Sequence, residues 1–321
     1  LRIFNGEQRP RNALDADGVT HCLISEGRFL LQAYWPRDPE SWIRFREAYG
    51  SALRHSLGAA PPQPGTVVVH PRPSNAVTAE KEGQRFFLER HGYGDRVPAL
   101  LLAPANPDKT RSVTLVVHPE GMEALFPSGQ RASLVTKLLA QGSAVLTVDT
   151  FLTGESVAPP TRAAELAQVK YLHTYNLTDV GNRVQDILTA LAFVRERFPS
   201  LPTRLVGVGR AGVWGVLALA LDGKADSAVL DLDHFDLTSD DAFLEALNVP
   251  CLRRAGDLKT AAALCAPQRL LLHRVHAAFP LAQVADAYAA AGAPRALAVC
   301  HQAASEEEML AWLGEAGRDR A

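Results

Sequence analysis

The chain has 321 residues, a formal net charge of −2, and 47% hydrophobic against 21% charged residues. This is an ordinary globular composition, long enough to bury a sizeable core without disulfides or metals and to build one large α/β domain with a smaller appendage. It has no Lys/Arg run to mark a nucleic-acid or anionic-membrane partner and no apolar run long enough to span a membrane, which leaves small molecules and proteins as partners.

Residues 1–80 read as the appendage and 81–321 as the main domain. The chain opens Leu1-Arg2-Ile3-Phe4 without methionine, so it is expected to be a fragment or a processed product. A helix is predicted from Asp38 to about Leu57, because Trp42, Phe45, Tyr49, Leu53 and Leu57 recur at spacings of three and four. The Pro/Gly-rich stretch 59–65 ends it, and a short apolar strand follows at 66–70. From about Gly83 strand and helix patterns alternate. Strands are predicted at 84–89, 97–102, 112–117, 143–148, 204–208, 227–232, 269–275 and 296–300. Several are unbroken Val/Leu runs, as in strands buried on both faces of a largely parallel sheet. The clearest helix runs from Asp179 to about Phe198, with Val180, Val184, Ile187, Leu188, Leu191 and Val194 on one face. Eight strands with crossover helices predict a mostly parallel, doubly wound α/β sheet.

Cys22, Cys251, Cys265 and Cys300 are scattered without a CxxC pair, so small buried apolar residues are expected rather than a metal site or a disulfide framework. No cofactor is implied. His273 and His276 lie three apart without a third ligand at suggestive spacing, so no metal site is expected there.

One turn carries most of the functional argument. The strand at 204–208 runs through Gly207-Val208-Gly209-Arg210-Ala211-Gly212 into the apolar helix 213–221. A strand, a tight turn and a helix are the setting of the G-x-S-x-G nucleophile elbow of the α/β-hydrolase fold. Here the nucleophile position is Gly209, which has no side chain to attack a carbonyl. Glycine adopts the elbow's sparsely allowed backbone freely, whereas a side chain there is strained by about 1–3 kcal/mol. The same residues fit G-x-G-x-x-G, a dinucleotide-binding spacing with Asp231 or Asp233 as the acid about 20 residues on, so a nucleotide-binding reductase stands as a rival reading.

Several other segments resemble a known family. Thr174-Tyr175-Asn176 with Asn182-Arg183-Val184-Gln185-Asp186-Ile187-Leu188, Val249-Pro250-Cys251-Leu252 with Ala266-Pro267-Gln268-Arg269-Leu270-Leu271, and Phe279-Pro280 with Gly292-Ala293 are similar to the acetylxylan-esterase-like branch of the α/β hydrolases. The resemblance covers roughly Gln84 to Leu313. It implies a carbohydrate or ester ligand. It also implies an adjacent esterase domain, since the opening Leu1-Arg2-Ile3-Phe4-Asn5-Gly6 is similar to the joint between tandem hydrolase domains whose second copy is degenerate. Carried over by position, the family's acid in D-x-x-F-P falls on His276 and its catalytic histidine on His301.

Asp231 and Asp233, after the strand at 227–232, are candidate orienters of His301, or else capping carboxylates. His118-Pro119-Glu120-Gly121 follows strand 112–117, where an oxyanion-hole loop belongs, and Arg210 flanks the elbow, so His118, Glu120 and Arg210 are candidate pocket residues. The loop Asp149–Ser156 is expected to shape the pocket; Ser156 has no evident base to activate it. Cys300 and His301 are adjacent on a strand and should point to opposite faces. These residues favour a catalytically silent hydrolase-fold domain, a scaffold or ligand-binding module beside an active esterase. The competing expectation is an active carboxylester hydrolase with a relocated nucleophile and His301 as base.

Overall fold

A computed structural model describes residues 12–72, 83–170, 172–222 and 224–315; the segment 1–6, compared above with an interdomain joint, lies outside them. The N-terminal part begins with α1 (Ala16–Tyr34), a helix that the periodicity did not predict. Its sequence is as amphipathic as that of α2, yet α1 buries no side chain, and Val19, Leu23, Ile24 and Phe29 stay exposed. Asp15 caps it by accepting the Gly18 N–H at 2.7 Å.

Helix α2 (Pro39–Leu57) starts and stops as its sequence dictates. Asp38 and Ser41 form a reciprocal capping box, Pro39 occupies the first turn, and Gly58 ends the helix at φ +64°. Its buried residues are the five predicted by spacing, Trp42, Phe45, Tyr49, Leu53 and Leu57. They belong to the same hydrophobic cluster as the main sheet, and Phe45 stacks on Tyr49 at 5.2 Å between ring centroids.

Among the described residues nine strands form one sheet: β1 (Val67–Pro71), β2 (Gln84–Arg90), β3 (Val97–Leu102), β4 (Ser112–Val117), β5 (Ser143–Val148), β6 (Thr203–Gly207), β7 (Ser227–Asp231), β8 (Arg269–His273) and β9 (Leu297–Val299), in the order β1-β2-β3-β5-β4-β6-β7-β8-β9. The expected count of eight is corrected to nine. The short strand placed in the appendage joins the sheet edge, where Val69 pairs with Leu88. β1, β2 and β3 run antiparallel, β3 is antiparallel to β5, and β4 to β9 are parallel.

The parallel strands are buried on both faces, and their odd and even side chains feed two cores. One face, with Leu115, Leu146, Leu205 and Leu230, packs on α2, α6 (Asp179–Arg197), α7 (Ala211–Asp222), α9 (Asp257–Leu264) and α10 (Leu281–Ala290). The other, with Val116, Val145, Val206 and Val229, packs on α3 (Ser133–Ala140) and α11 (Glu306–Glu315). The shorter helices α4 (Pro160–Ala167), α5 (Leu172–Tyr175) and α8 (Asp240–Ala246) lie in the connections. No described helix is long and apolar enough to cross a membrane. Of the cysteines, Cys265 is buried and Cys300 half-buried, whereas Cys22 and Cys251 are exposed, against the expectation of burial.

Candidate functional site

In a parallel sheet the loops leaving the C-terminal strand ends converge, and binding or catalytic groups collect there. Gly209 sits at that edge, between β6 and α7, with φ +51°. This left-handed conformation is the one an elbow requires. The helix returns tightly onto the sheet. A Cβ on Gly212 would fall 2.0 Å from the Asp231 carbonyl oxygen, so only glycine allows α7 to approach β7 so closely. A Cβ at Gly209, by contrast, would meet only Pro119 Cγ at 3.6 Å, an ordinary contact. The turn thus has room for a nucleophile and carries none. The loop at 118–121 lies against it through Pro119.

The predicted acids lie beside the elbow but face another partner. Asp231, at the end of β7, is buried. It accepts the Gly209 N–H at 3.1 Å and the Asp233 N–H at 2.8 Å, and Arg274 donates to it at 3.1 Å. The same guanidinium reaches Asp233 at 2.5 Å. Arg274 sits just beyond β8 with φ +49°, and Asp233 and His234 have φ +48° and +52°. The strand predicted to run to Val275 ends at His273, and this turn swings Arg274 across the sheet edge into the carboxylates. One cation therefore clamps the ends of β7 and β8. The backbone reinforces the clamp, with the His234 N–H donating to the Arg274 carbonyl at 2.7 Å.

His301 finds neither acid. Its Nδ1 lies 2.9 Å from the Val275 carbonyl oxygen. A carbonyl only accepts, so Nδ1 carries the proton and Nε2 of the neutral ring is left as an acceptor. The expectation that Asp231 or Asp233 orients His301 is thus replaced by a backbone carbonyl. His276, at the position matched to the family acid, accepts the Ala278 N–H at 3.3 Å and lies 3.7 Å from Asp236. His273, in register with Asp231, is buried, and burial lowers its imidazole pKa, partly offset by Asp231.

The candidate pocket residues divide. His118 is half-buried and accepts the Glu120 N–H at 3.2 Å, which withdraws that donor from any oxyanion; burial lowers its pKa, partly offset by Glu120. The Glu120 side chain is exposed. Arg210 is exposed and reaches Glu245 only at 3.9 Å. Cys300 Sγ lies 3.4 Å from the Gln302 carbonyl, and burial pushes its thiol up, away from the thiolate a nucleophile needs.

The loop after β5 is held from both sides. Buried Asp149 accepts from the backbone N–H groups of Met122 at 2.6 Å and Glu155 at 2.9 Å, tying it to the loop after β4. Asp186 on α6 accepts the Phe151 N–H at 2.7 Å, and burial pushes its carboxyl up to about 7. Arg183, one turn earlier, donates to the Phe151 carbonyl at 3.0 Å and lies 4.6 Å over the Trp214 ring. Sequence reasoning missed Arg274 as a site residue and missed Arg183 and Asp186 as anchors. The available signal was a cation at the end of an apolar run and an Arg/Asp pair three apart on a buried helix.

No family model matches the chain, and no curated protein does. Solved structures do. An acetyl xylan esterase assignment from Bacteroides fragilis NCTC 9343 superposes with a TM-score of 0.63 at 15% identity, over 92% of this chain and 84% of that one. A glucuronoyl esterase from Solibacter usitatus gives 0.59 at 13%, over 88% and 94%. Acetyl xylan esterase 1 from Thermoanaerobacterium sp. JW/SL YS485 gives 0.51 at 15%, over 88% and 97%. At these identities the likeness is one of fold, and with the strand order and the elbow described above it establishes that this chain has the α/β-hydrolase fold.

Proposed function

We propose that this chain is a hydrolase-fold module without serine-esterase turnover, which holds a carbohydrate or ester ligand, or an adjacent esterase domain, instead of cleaving an ester. In this reading residues 1–80 are an N-terminal appendage of the module at 81–321, fastened to it by α2. The observation that carries the proposal is Gly209: the elbow conformation is present at φ +51°, and the atom that would attack is missing. The Arg274 clamp on Asp231 and Asp233 supports it, because both carboxylates are committed to a cation and to backbone donors. The carbohydrate esterases among the fold neighbours suggest the ligand class.

A second reading keeps catalysis with a relocated nucleophile. It is favoured by His301, whose Nε2 is left as a base by the Val275 carbonyl.

Hydrolysis of p-nitrophenyl acetate by the intact chain, beside a His301→Ala variant, separates the two. The proposal expects turnover no higher than the roughly 10³–10⁴-fold over water that binding and an oxyanion hole give without a triad, and unchanged by the variant. Robust turnover abolished by His301→Ala overturns it. Gly209→Ser tests the same point from the other side. The serine fits, and it is expected to leave activity at background, because no carboxylate among the described residues orients His301. High activity from that single change would show a working base already in place; recovery only with His276→Asp added would identify the missing acid.

A further inference from the structure

The opposite end of the sheet holds a cation that the fold leaves unanswered. Arg204 lies near the start of β6 and is only 9% exposed. Its Nε is buried without a hydrogen-bond partner among the described residues. Register places Thr114 on one side of it and Ser227 on the other. All three point to the face covered by α3 and α11, since Val116, Val206 and Val229, two residues further along each strand, lie in that core. The Ser227 Oγ is also buried and unpartnered, whereas Thr114 is satisfied by Ser143 at 2.8 Å. The carboxylate with the strongest pull on Arg204 is Asp226, which itself accepts the Thr203 N–H at 2.8 Å.

Arg204 lines a cleft of about 1090 Å³ between α3, α11 and the loop before β4. Lys109 and Arg111 stand exposed at its rim, and Lys137 and Glu307 line the α3–α11 side. Lys137 is already neutralised, bonded to Glu306 and Glu307 at 2.8 Å each. Among the described residues Arg204, Lys109 and Arg111 therefore face the cleft without an ion pair of comparable length, and Arg204 is buried. A buried guanidinium without a matched anion is costly, and its planar fork suits two oxygens of a tetrahedral oxyanion.

We propose that this cleft binds a phosphate or sulfate group, with Arg204 as the floor and Lys109 and Arg111 closing over the exposed oxygens. The group arrives as the free ion or on a sugar, and both sources present the same oxygens to the same donors. The site is remote from the elbow and does not depend on the reading of that region.

The test is calorimetric titration of the intact chain with inorganic phosphate, inorganic sulfate and glucose 6-phosphate, with sodium chloride at matched ionic strength as control. Saturable binding of at least one oxyanion is expected. Arg204→Met should raise Kd about tenfold or more, and Lys109→Ala with Arg111→Ala several-fold, in line with the loss of charged hydrogen bonds. Tighter binding of glucose 6-phosphate assigns the site to a phosphorylated sugar, and tighter binding of phosphate or sulfate to the free ion. Absence of saturable binding by the folded wild-type chain, or equal binding by the variants, overturns the proposal. The double variant alters only exposed side chains, so it decides the matter even if Arg204→Met does not fold.

Discussion

The two ends of the sheet treat charge in opposite ways. At the C-terminal end four acids around the elbow have partners inside the molecule: Asp231 and Asp233 have Arg274, Asp149 has two backbone donors, and Asp186 has one. At the N-terminal end Arg204 and Ser227 keep buried polar atoms without one. In the usual architecture of parallel sheets the functional groups stand at the C-terminal end. Here those carboxylates are answered from within, with ring nitrogens such as His273 Nδ1 left unpartnered among the described residues, and a buried cation with an unpartnered nitrogen appears at the other end. Where a fold leaves a polar group unpaired is thus a better guide to ligand chemistry than where a fold usually works.

One substitution applied at both ends puts this contrast to the test. Among the described residues Arg274→Met removes the one side-chain cation paired with Asp231, whose carboxylate side chain is 6% exposed while the guanidinium side chain is 35% exposed. Breaking a buried ion pair typically costs about 3–5 kcal/mol, and the partial exposure of Arg274 reduces this to about 2–3 kcal/mol. Urea denaturation should show that loss as a lower midpoint at unchanged slope. A variant as stable as wild type would mean that Gly209 N–H and Asp233 N–H alone satisfy Asp231, and that the clamp contributes little.

Asp186 sharpens the picture through pH. Its carboxyl is raised from 3.8 to about 7 by burial, so the folded state prefers it protonated. The stability contribution from that shift is full below the unfolded value of 3.8 and is lost as pH rises through about 7. Asp186→Asn cannot ionise and still offers an oxygen to the Phe151 N–H. Relative to wild type, the variant should therefore gain about 4 kcal/mol between pH 4 and pH 8. Denaturation midpoints at those two pH values check it, and parallel curves for the two proteins would place the carboxyl in ordinary solvent.

What the sequence revealed follows the same division. Unbroken apolar runs gave β4 and β5 at their observed limits, and spacing gave all five buried residues of α2. Burial alone writes such patterns. Gly209 was legible because a motif fixes its place relative to a strand and a helix. Arg274 was not, because the run at 269–275 reads as one strand, and nothing in it announces the turn at φ +49° that carries the guanidinium back over β7. Helix α1 was missed although its sequence is as amphipathic as that of α2; its apolar side chains are not buried in the fold. Arg204 was hidden by the opposite feature: a cation at a strand start looks solvated until the covering helix is known.

The smallest expected effect is the most informative. Arg204→Met replaces a buried guanidinium, whose Nε has no partner among the described residues, by an apolar chain of similar reach. If the cation has no internal partner, its removal should leave stability within about 1 kcal/mol of wild type or raise it, because burying an uncompensated charge opposes folding. The same Arg-to-Met change would then be costly at one end of the sheet and free at the other. With phosphate or sulfate present the order should change, since a ligand that binds only the folded state stabilises wild type by mass action and passes over the variant. A loss from Arg204→Met as large as that from Arg274→Met, with no oxyanion added, would show that Asp226 already serves as a full partner. The two ends of the sheet would then handle charge alike.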